Sequence, residues 1–255
     1  MTLTQRPCLN LDGLPFAVLR LDPGGNLHSS RHRHEESQIF CLQSGLAVIE
    51  SEEGRWTVPP GQIGWVPSNV WHIAETHGEM AGWAAYPPEP FCPGLPEYPC
   101  VLECSPLIPL IMERALDWPV DVALTSERGR LLRVFMDEVH SAVPVSSRLS
   151  FPQHPGLVRV TSAILKNPGG KHDLAHWAGV AAMSERSLGR HFRRETGMSL
   201  NAWKQCARLN KARELLADGQ SVQECAWSLG YENVSAFIAA FKRMFSQTPS
   251  RFGKS

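Results

Sequence analysis

Two different periods of apolar residues divide this chain. From about Phe16 to Tyr86, apolar and β-branched residues come in short runs, such as Gln38–Gln43, Leu46–Glu50 and Gly64–Pro67. Turn residues separate the runs at Gly24-Gly25, Gly45, Glu53-Gly54 and Pro59-Pro60-Gly61. Short runs bounded in this way predict strands folded into a small β-barrel or sandwich. Eight prolines then crowd the 23 residues Pro87–Pro109 and predict an extended connector. Beyond it the period becomes helical. Leu107–Leu116 and Glu127–His140 are two predicted amphipathic helices, the second with Leu131, Leu132, Phe135, Met136 and Val139 on one face. Those faces are expected to pack on the barrel or on a second copy of the chain. Val143–Pro155 reads as a second linker, and the remainder as helical.

The helical remainder contains one unit twice. His172–Phe192 reads HDLAHWAGVAAMSERSLGRHF, and Gln220–Phe241 reads QSVQECAWSLGYENVSAFIAAF. Each predicts a short helix, a tight turn and a second helix ending in an aromatic residue. Ala178 and Ala182 match Ala226 and Gly230: a small residue where two helices cross, then a small residue at the turn. Leu188 and Phe192 match Phe237 and Phe241 as core anchors, with one extra residue in the later copy. This is helix-turn-helix spacing, and its repetition points to DNA binding. Asp173, Ser184 and Ser199 are expected N-caps. If Ala182 takes a positive φ at the turn, the cost is of order 1 kcal/mol. Between the units, Met198–Ala217 predicts a connecting helix buried through Leu200, Trp203, Leu209, Ala212 and Leu216, with Lys204, Arg208 and Lys211 solvated. Nineteen helical residues span roughly 28 Å, close to one DNA turn of about 34 Å.

Charge sharpens this reading. The whole chain is formally neutral, with 25 Lys+Arg and 25 Asp+Glu. From His154 onward there are 15 basic and 7 acidic residues, a balance of +8, which leaves 10 and 18 before it. A basic half joined to an acidic half implies a polyanionic partner for one half only. On the first reading helix the candidate DNA-contacting residues are Ser184, Arg186, Ser187, Gly189, Arg190, Arg193 and Arg194. Arg186 and Arg190 are four apart and share a face, and arginine donates two hydrogen bonds to guanine O6 and N7. Arg193 and Arg194, a turn later, suit phosphates. The second reading helix offers Asn233, Ser235, Ala236 and Ala239, with Lys242 and Arg243 for the backbone. Having no arginine in its first two turns, it is expected to contribute shape and phosphate contacts more than base reading.

Candidate chemistry also lies in the barrel. Gly25, His32, His34, Gln38 and Gly45 follow G-x6-HxH-x3-Q-x6-G, and Gly61, Pro67 and His72 follow G-x5-P-x-N-x2-H. His32 and His34 are two apart, so on a strand both side chains share one face. With His72 from a neighbouring strand they suit a divalent transition metal (Zn, Ni, Mn or Fe). The spacing resembles the two cupin motifs, in which an HxH pair, a Glu and a later His converge. Gln38 stands at the Glu position and Thr76 at the final Asn position. The substitution removes a charge and a strong oxygen ligand, which favours weaker metal binding or an organic ligand. The metal set is thus His32, His34, Gln38 and His72, beside a pocket that merely carries polar histidines as the alternative.

Seven cysteines without CxxC spacing argue against disulfides and for a reduced, cytoplasmic setting, with Cys92, Cys100 and Cys104 as free thiols before a soft-metal site. No signal pattern and no run long enough for a bilayer appear, so no membrane partner is expected.

The stretch ARLNKARELLADGQSVQECAWSLGYENVSAFIAAFKRMFSQTPSRF resembles the signature of AraC/XylS-type transcription regulators. The carriers are A-x-x-LGY before the second reading helix, F-x-x-x-F-K-R-x-F within it and TPSRF after it, together with RRETGMS after the first unit. The resemblance covers about 155–253, and with the cupin-like barrel nearly the whole chain. It implies promoter binding, a barrel that senses a small molecule or metal ion or mediates dimerisation, and contact with RNA polymerase. The order of parts resembles a subgroup that often controls an efflux transporter. The expectation is therefore an α+β two-domain, non-enzymatic regulator. It comprises a cupin-like barrel over 1–100, a helical dimerisation segment over 101–150 and a DNA-binding domain over 151–255. A metal-dependent cupin enzyme, a dioxygenase or isomerase, fused to a DNA-binding domain is the alternative.

Overall fold

The computed structural model describes residues 8–24, 28–119, 125–145 and 148–252. Two compact units divide it: Met1–Ser51 with Trp56–Arg148, and Glu52–Arg55 with Leu149–Ser255. Gly24, the first residue of the expected Gly24-Gly25 turn, ends a strand, and Gly25 lies outside the described residues.

The first unit is a sheet with two helices. Its strands are β1 (Cys8–Leu11), β2 (Leu14–Gly24), β3 (Gln38–Ser51), β4 (Gly54–Val58), β5 (Gln62–Val66), β6 (His72–Tyr86) and β7 (Cys100–Glu103). The order is β1-β2-β6-β3-β4, and β5 joins β3 to β7; a last short strand, β8 (Arg148–Ser150), which falls in the second unit from Leu149 on, pairs with β4, whose Gly54 and Arg55 belong to that unit too. Three features differ from the pattern-based reading. The chain does not turn at Gly45: β3 runs through it, with register shifts on either side of Ser44. Gly45 has φ +78°, and a Cβ there would lie 3.0 Å from Met80 Cα. A glycine inside a strand here marks a bulge rather than an end. The proline-rich connector contains β7, because Cys100–Glu103 has no proline and donates freely to β5. Likewise, β8 lies in the expected second linker.

Helices α1 (Leu107–Leu116) and α2 (Ser126–Ser141) fall where the apolar period placed them. Pro109 sits in the first turn of α1, where no backbone donor is lost. Thr125 caps α2 by accepting from Arg128 N at 3.4 Å. The apolar faces pack on the sheet. Ile108, Ile111, Met112, Leu132, Phe135 and Met136 belong to the same core cluster as Phe16, Ile39 and Trp83. Phe135 meets Phe16 and Trp83 edge-on, at ring distances of 6.1 and 6.0 Å. Full burial of such a ring contributes roughly 1.5–3 kcal/mol. This settles the choice for those faces, which are not available to a second copy.

The second unit is helical: α3 (Pro155–Lys166), α4 (Leu174–Ala181), α5 (Glu185–Thr196), α6 (Leu200–Ala217), α7 (Val222–Ser228), α8 (Val234–Phe245) and α9 (Pro249–Phe252). The caps are local side-chain bonds, as the sequence suggests. Asp173 accepts from His176 N at 2.8 Å, Ser184 from Ser187 N at 3.3 Å and Ser199 from Ala202 N at 3.2 Å. Ser221 and Glu224 add a capping box on α7. Leu157, Val160, Ile164, Trp177, Phe192 and Trp203 form the core around α4 and α5. The lysines and arginine expected on a solvated face of α6 are engaged. Arg208 Nε donates to Pro168 O at 3.2 Å and its guanidinium covers the Tyr231 ring. Lys204 covers Trp177, and Lys211 pairs with Glu214 at 2.8 Å. Long cationic stems lie along apolar surface while the heads find partners. Asn210, Arg213 and Glu214 are buried as well, because α6 is enclosed by helices of both repeats.

Candidate functional site

The two repeats build the same turn. Met183 N donates to Ala178 O and Tyr231 N to Ala226 O, both at 3.0 Å. Ala182 N and Gly230 N each close on the carbonyl three residues back, also at 3.0 Å. Ala182 takes φ +56° and Gly230 φ +72°, so the strain expected at Ala182 is present. Each turn leads into an N-capped reading helix, α5 or α8. A glycine from elsewhere lets the chain rest on the end of each first helix. A Cβ on Gly156 would fall 2.4 Å from Ala181 O, and one on Gly169 2.5 Å from Ser228 O.

On α5 and its cap, Ser184, Arg186, Gly189, Arg190, Arg193 and Arg194 are exposed and Ser187 is half-buried. Ser184 and Ser187 also bond each other through their hydroxyls, so part of their capacity serves the cap. Arg190 approaches His191 Nε2 at 3.4 Å, and Arg194 pairs with Glu195 at 3.3 Å. Backbone donation from His154, and then from Gln153, holds the Glu195 carboxyl below its ordinary range. A groove of about 700 Å³ beside α5 is bordered by Arg190, Arg193, Arg194 and Asn201. On α8, Ser235, Ala236, Ala239, Lys242 and Arg243 are exposed. Asn233 precedes that helix, and its side-chain Oδ1 is spent accepting from Ala236 N at 2.8 Å. The arrangement offers a basic helix and a mostly neutral one, each flanked by cations suited to phosphates.

In the first unit, His32, His34 and His72 come together. Their ligand atoms all lie within 4.8 Å of one another. Ring centroids are 4.4 Å apart for His32–His72 and 5.1 Å for His34–His72. His32 and His34 are not on a strand. They occupy an extended segment joined to β6 by two isolated bridges, His28 to Glu75 and His32 to His72, the second with His32 N donating to His72 O and His72 N to His32 O at 2.9 Å. The alternation survives: Arg31 and Arg33 face out and stack on Trp71, while the histidines turn inward. Each Nδ1 is bonded to a backbone carbonyl, His32 to Ser30, His34 to Glu36 and His72 to Val70. A carbonyl only accepts, so each Nδ1 donates, and the neutral form of each ring then carries its lone pair on Nε2, where a metal can be bound. Burial, followed by the nearby His32 and His34, pushes His72 down to about 4, so it stays neutral near pH 7. In a tetrahedral site with Zn–N of about 2.0–2.1 Å, ligand nitrogens lie roughly 3.3 Å apart. The residues present therefore fit such an ion after a small contraction.

Gln38 joins this cluster indirectly. Its amide donates to Tyr86 Oη at 3.0 Å, and the Tyr86 ring lies 6.4 Å from His34. Tyr86 had no sequence signal, since 48 residues separate it from Gln38. Gly25, the first residue of the motif, lies outside the described residues. Among the described residues no similar convergence joins Cys92, Cys100 and Cys104, which are free thiols.

A family model described as a helix-turn-helix domain matches residues 177–255, and one described as an AraC-like ligand binding domain matches 15–86. The transcriptional regulator NimR of Escherichia coli is 33% identical over 231 residues, 89% of this chain and 82% of that protein. The chain belongs to the AraC family of transcription regulators. The regulator is also 36% identical to GlxA of Rhizobium meliloti over 100 residues, 38% of this chain and 30% of GlxA. Among solved structures, ToxT from Vibrio cholerae aligns at TM-score 0.40 and 12% identity, over 94% of this chain and 97% of that one. The DNA-binding domain of AdpA, solved with a target DNA, aligns at 0.37 and 27% over 40% and 92%. Its family matches make the regulator a DNA-binding protein with a ligand-binding domain, not an enzyme, and the fused-enzyme alternative is set aside. No described helix is long and apolar enough to cross a membrane.

Proposed function

We propose that this regulator reads promoter DNA in the cytoplasm through α5 and α8. In this reading its barrel answers to a divalent first-row transition metal on His32, His34 and His72, with Gln38 alongside. Support for the metal comes from one observation: three imidazoles converge with every Nδ1 committed to a carbonyl. Base discrimination falls to Arg186 and Arg190, and phosphate contact to Arg193, Arg194, Lys242 and Arg243. The protein acts as a homodimer and regulates through RNA polymerase. Control of an efflux transporter rests on family resemblance alone.

Isothermal titration of protein made without a histidine tag tests the metal. Saturable heat is expected with at least one of Zn, Ni, Mn and Fe(II), and none with His34→Ala. No heat with any of the four for the wild type sinks the metal reading and leaves an organic effector as the second one. The ring of Tyr86 beside the pocket is the feature that favours that second reading.

A further inference from the structure

We infer that Arg213 is the positioning residue for the second reading helix: its buried guanidinium, set against Phe245 and Phe252, fixes the angle of α8 relative to α5. Arg213 is 3% exposed, so it touches no DNA. It lies on α6, which anchors one aromatic from each reading helix. Near the start of α6, Trp203 meets Phe192 of α5 edge-on at 5.9 Å. Ten residues later, about 15 Å along the axis, the Arg213 guanidinium lies 4.7 Å from the Phe245 ring and 5.4 Å from the Phe252 ring. Phe245 ends α8 and Phe252 ends α9. These rings close a ladder that runs along α8, from Tyr231 to Phe237 at 5.2 Å, Phe237 to Phe241 at 5.8 Å and Phe241 to Phe245 at 4.8 Å.

Stability does not account for an arginine at this place. Its Nε is buried without a hydrogen-bond partner. The neighbouring acid, Glu214, is paired with Lys211 at 2.8 Å and with Arg55 at 3.0 Å. Burial lowers the guanidinium pKa, opposed by Cys206 and Glu214. An apolar side chain in such a place is often neutral or stabilising. What it lacks is direction. A planar cation prefers the ring face, so contact with two rings constrains their mutual orientation as grease does not. Phe245 is a helix terminus, so this constraint passes to the whole of α8, including Ser235, Ala236 and Ala239 on its exposed side.

The test uses the full chain as wild type, Arg213→Met and Arg213→Lys. The probe is a duplex selected by the wild type from a random-sequence library and mapped by hydroxyl-radical footprinting. Arg190→Ala marks the half-site read by α5. Arg213→Met is expected to melt at or above the wild-type temperature and to bind about tenfold or more weakly. Its protection should be lost over the other half-site only, with partial recovery in Arg213→Lys. Wild-type protection of both half-sites by Arg213→Met overturns the proposal, as does equal weakening of both. If Arg213→Met does not fold, the same ratio of half-site protections is read in Arg213→Lys, where a wild-type ratio overturns the proposal.

Discussion

Ala182 and Gly230 occupy the same left-handed corner in the two helix-turn-helix repeats, at φ +56° and +72°, yet only one of them is glycine. The difference lies in what each corner faces. A Cβ on Gly230 would fall 2.4 Å from Gly169 O, a backbone atom that cannot step aside. Ala182 is exposed, so its Cβ meets only its own conformational penalty. Ala182→Gly should therefore stabilise the domain by about 1 kcal/mol. Gly230→Ala should destabilise it by more than that, since strain and a clash add. Urea denaturation monitored by circular dichroism measures both.

Residues 149–255 should bind duplex DNA without the barrel, with affinity falling steeply as salt rises because phosphate neutralisation releases counterions. The boundary matters. Leu149 is fully buried in this unit, and Trp203 Nε1 donates to Ser150 O at 2.8 Å. A fragment beginning at 155 loses both and should melt lower by calorimetry. Failure of the 149–255 fragment to shift any DNA at low salt contradicts the prediction.

Arg190→Ala and Arg186→Ala should each relax base preference at one position by about 1–3 kcal/mol, whereas Lys242→Ala should weaken all sequences alike. Competition gel shifts with single-base variants separate the two behaviours. Equal loss of specific and non-specific binding in Arg190→Ala removes it from base reading.

The proposed dimer must use a surface other than Leu132 and Phe135, which are fully buried in the core of the first unit. The outer faces of α1 and α2 expose Leu107, Leu110 and Val134, with Leu110 at 59%. Leu110→Glu should halve the mass seen in sedimentation at micromolar concentration while leaving the circular dichroism spectrum intact. Leu132→Glu should instead unfold the first unit, because an unpaired carboxylate is costly in an apolar core. An unchanged mass for Leu110→Glu rejects this dimer face.

Gln38→Glu should tighten metal binding, since a carboxylate is a stronger oxygen donor than an amide. The Tyr86 hydroxyl then becomes the donor and the new carboxylate only an acceptor, so the hydrogen bond survives the change. Tyr86→Phe should therefore weaken binding less than His34→Ala does. Titration calorimetry of the three variants ranks them, and a Tyr86→Phe loss as large as that of His34→Ala refutes the ordering.

The sequence by itself determined whatever depends on neighbours three or four residues apart. The caps at Asp173, Ser184 and Ser199, the left-handed Ala182 and both helix-turn-helix units follow from local hydrogen bonds, which need no knowledge of the rest of the chain. The inward turn of His32 and His34 is likewise a matter of backbone alternation. Tertiary structure decided what depends on closing long loops. It put the apolar faces of α1 and α2 on the sheet, where a local pattern shows only that they need burial. Gln38 was joined to Tyr86 across 48 residues, and β3 carried through Gly45 because β6 lay alongside to receive the bulge. Arg213 shows the same limit. Nothing in its sequence neighbourhood marks it as buried, because burial under α8 and α9 belongs to the assembled fold and not to any window of sequence.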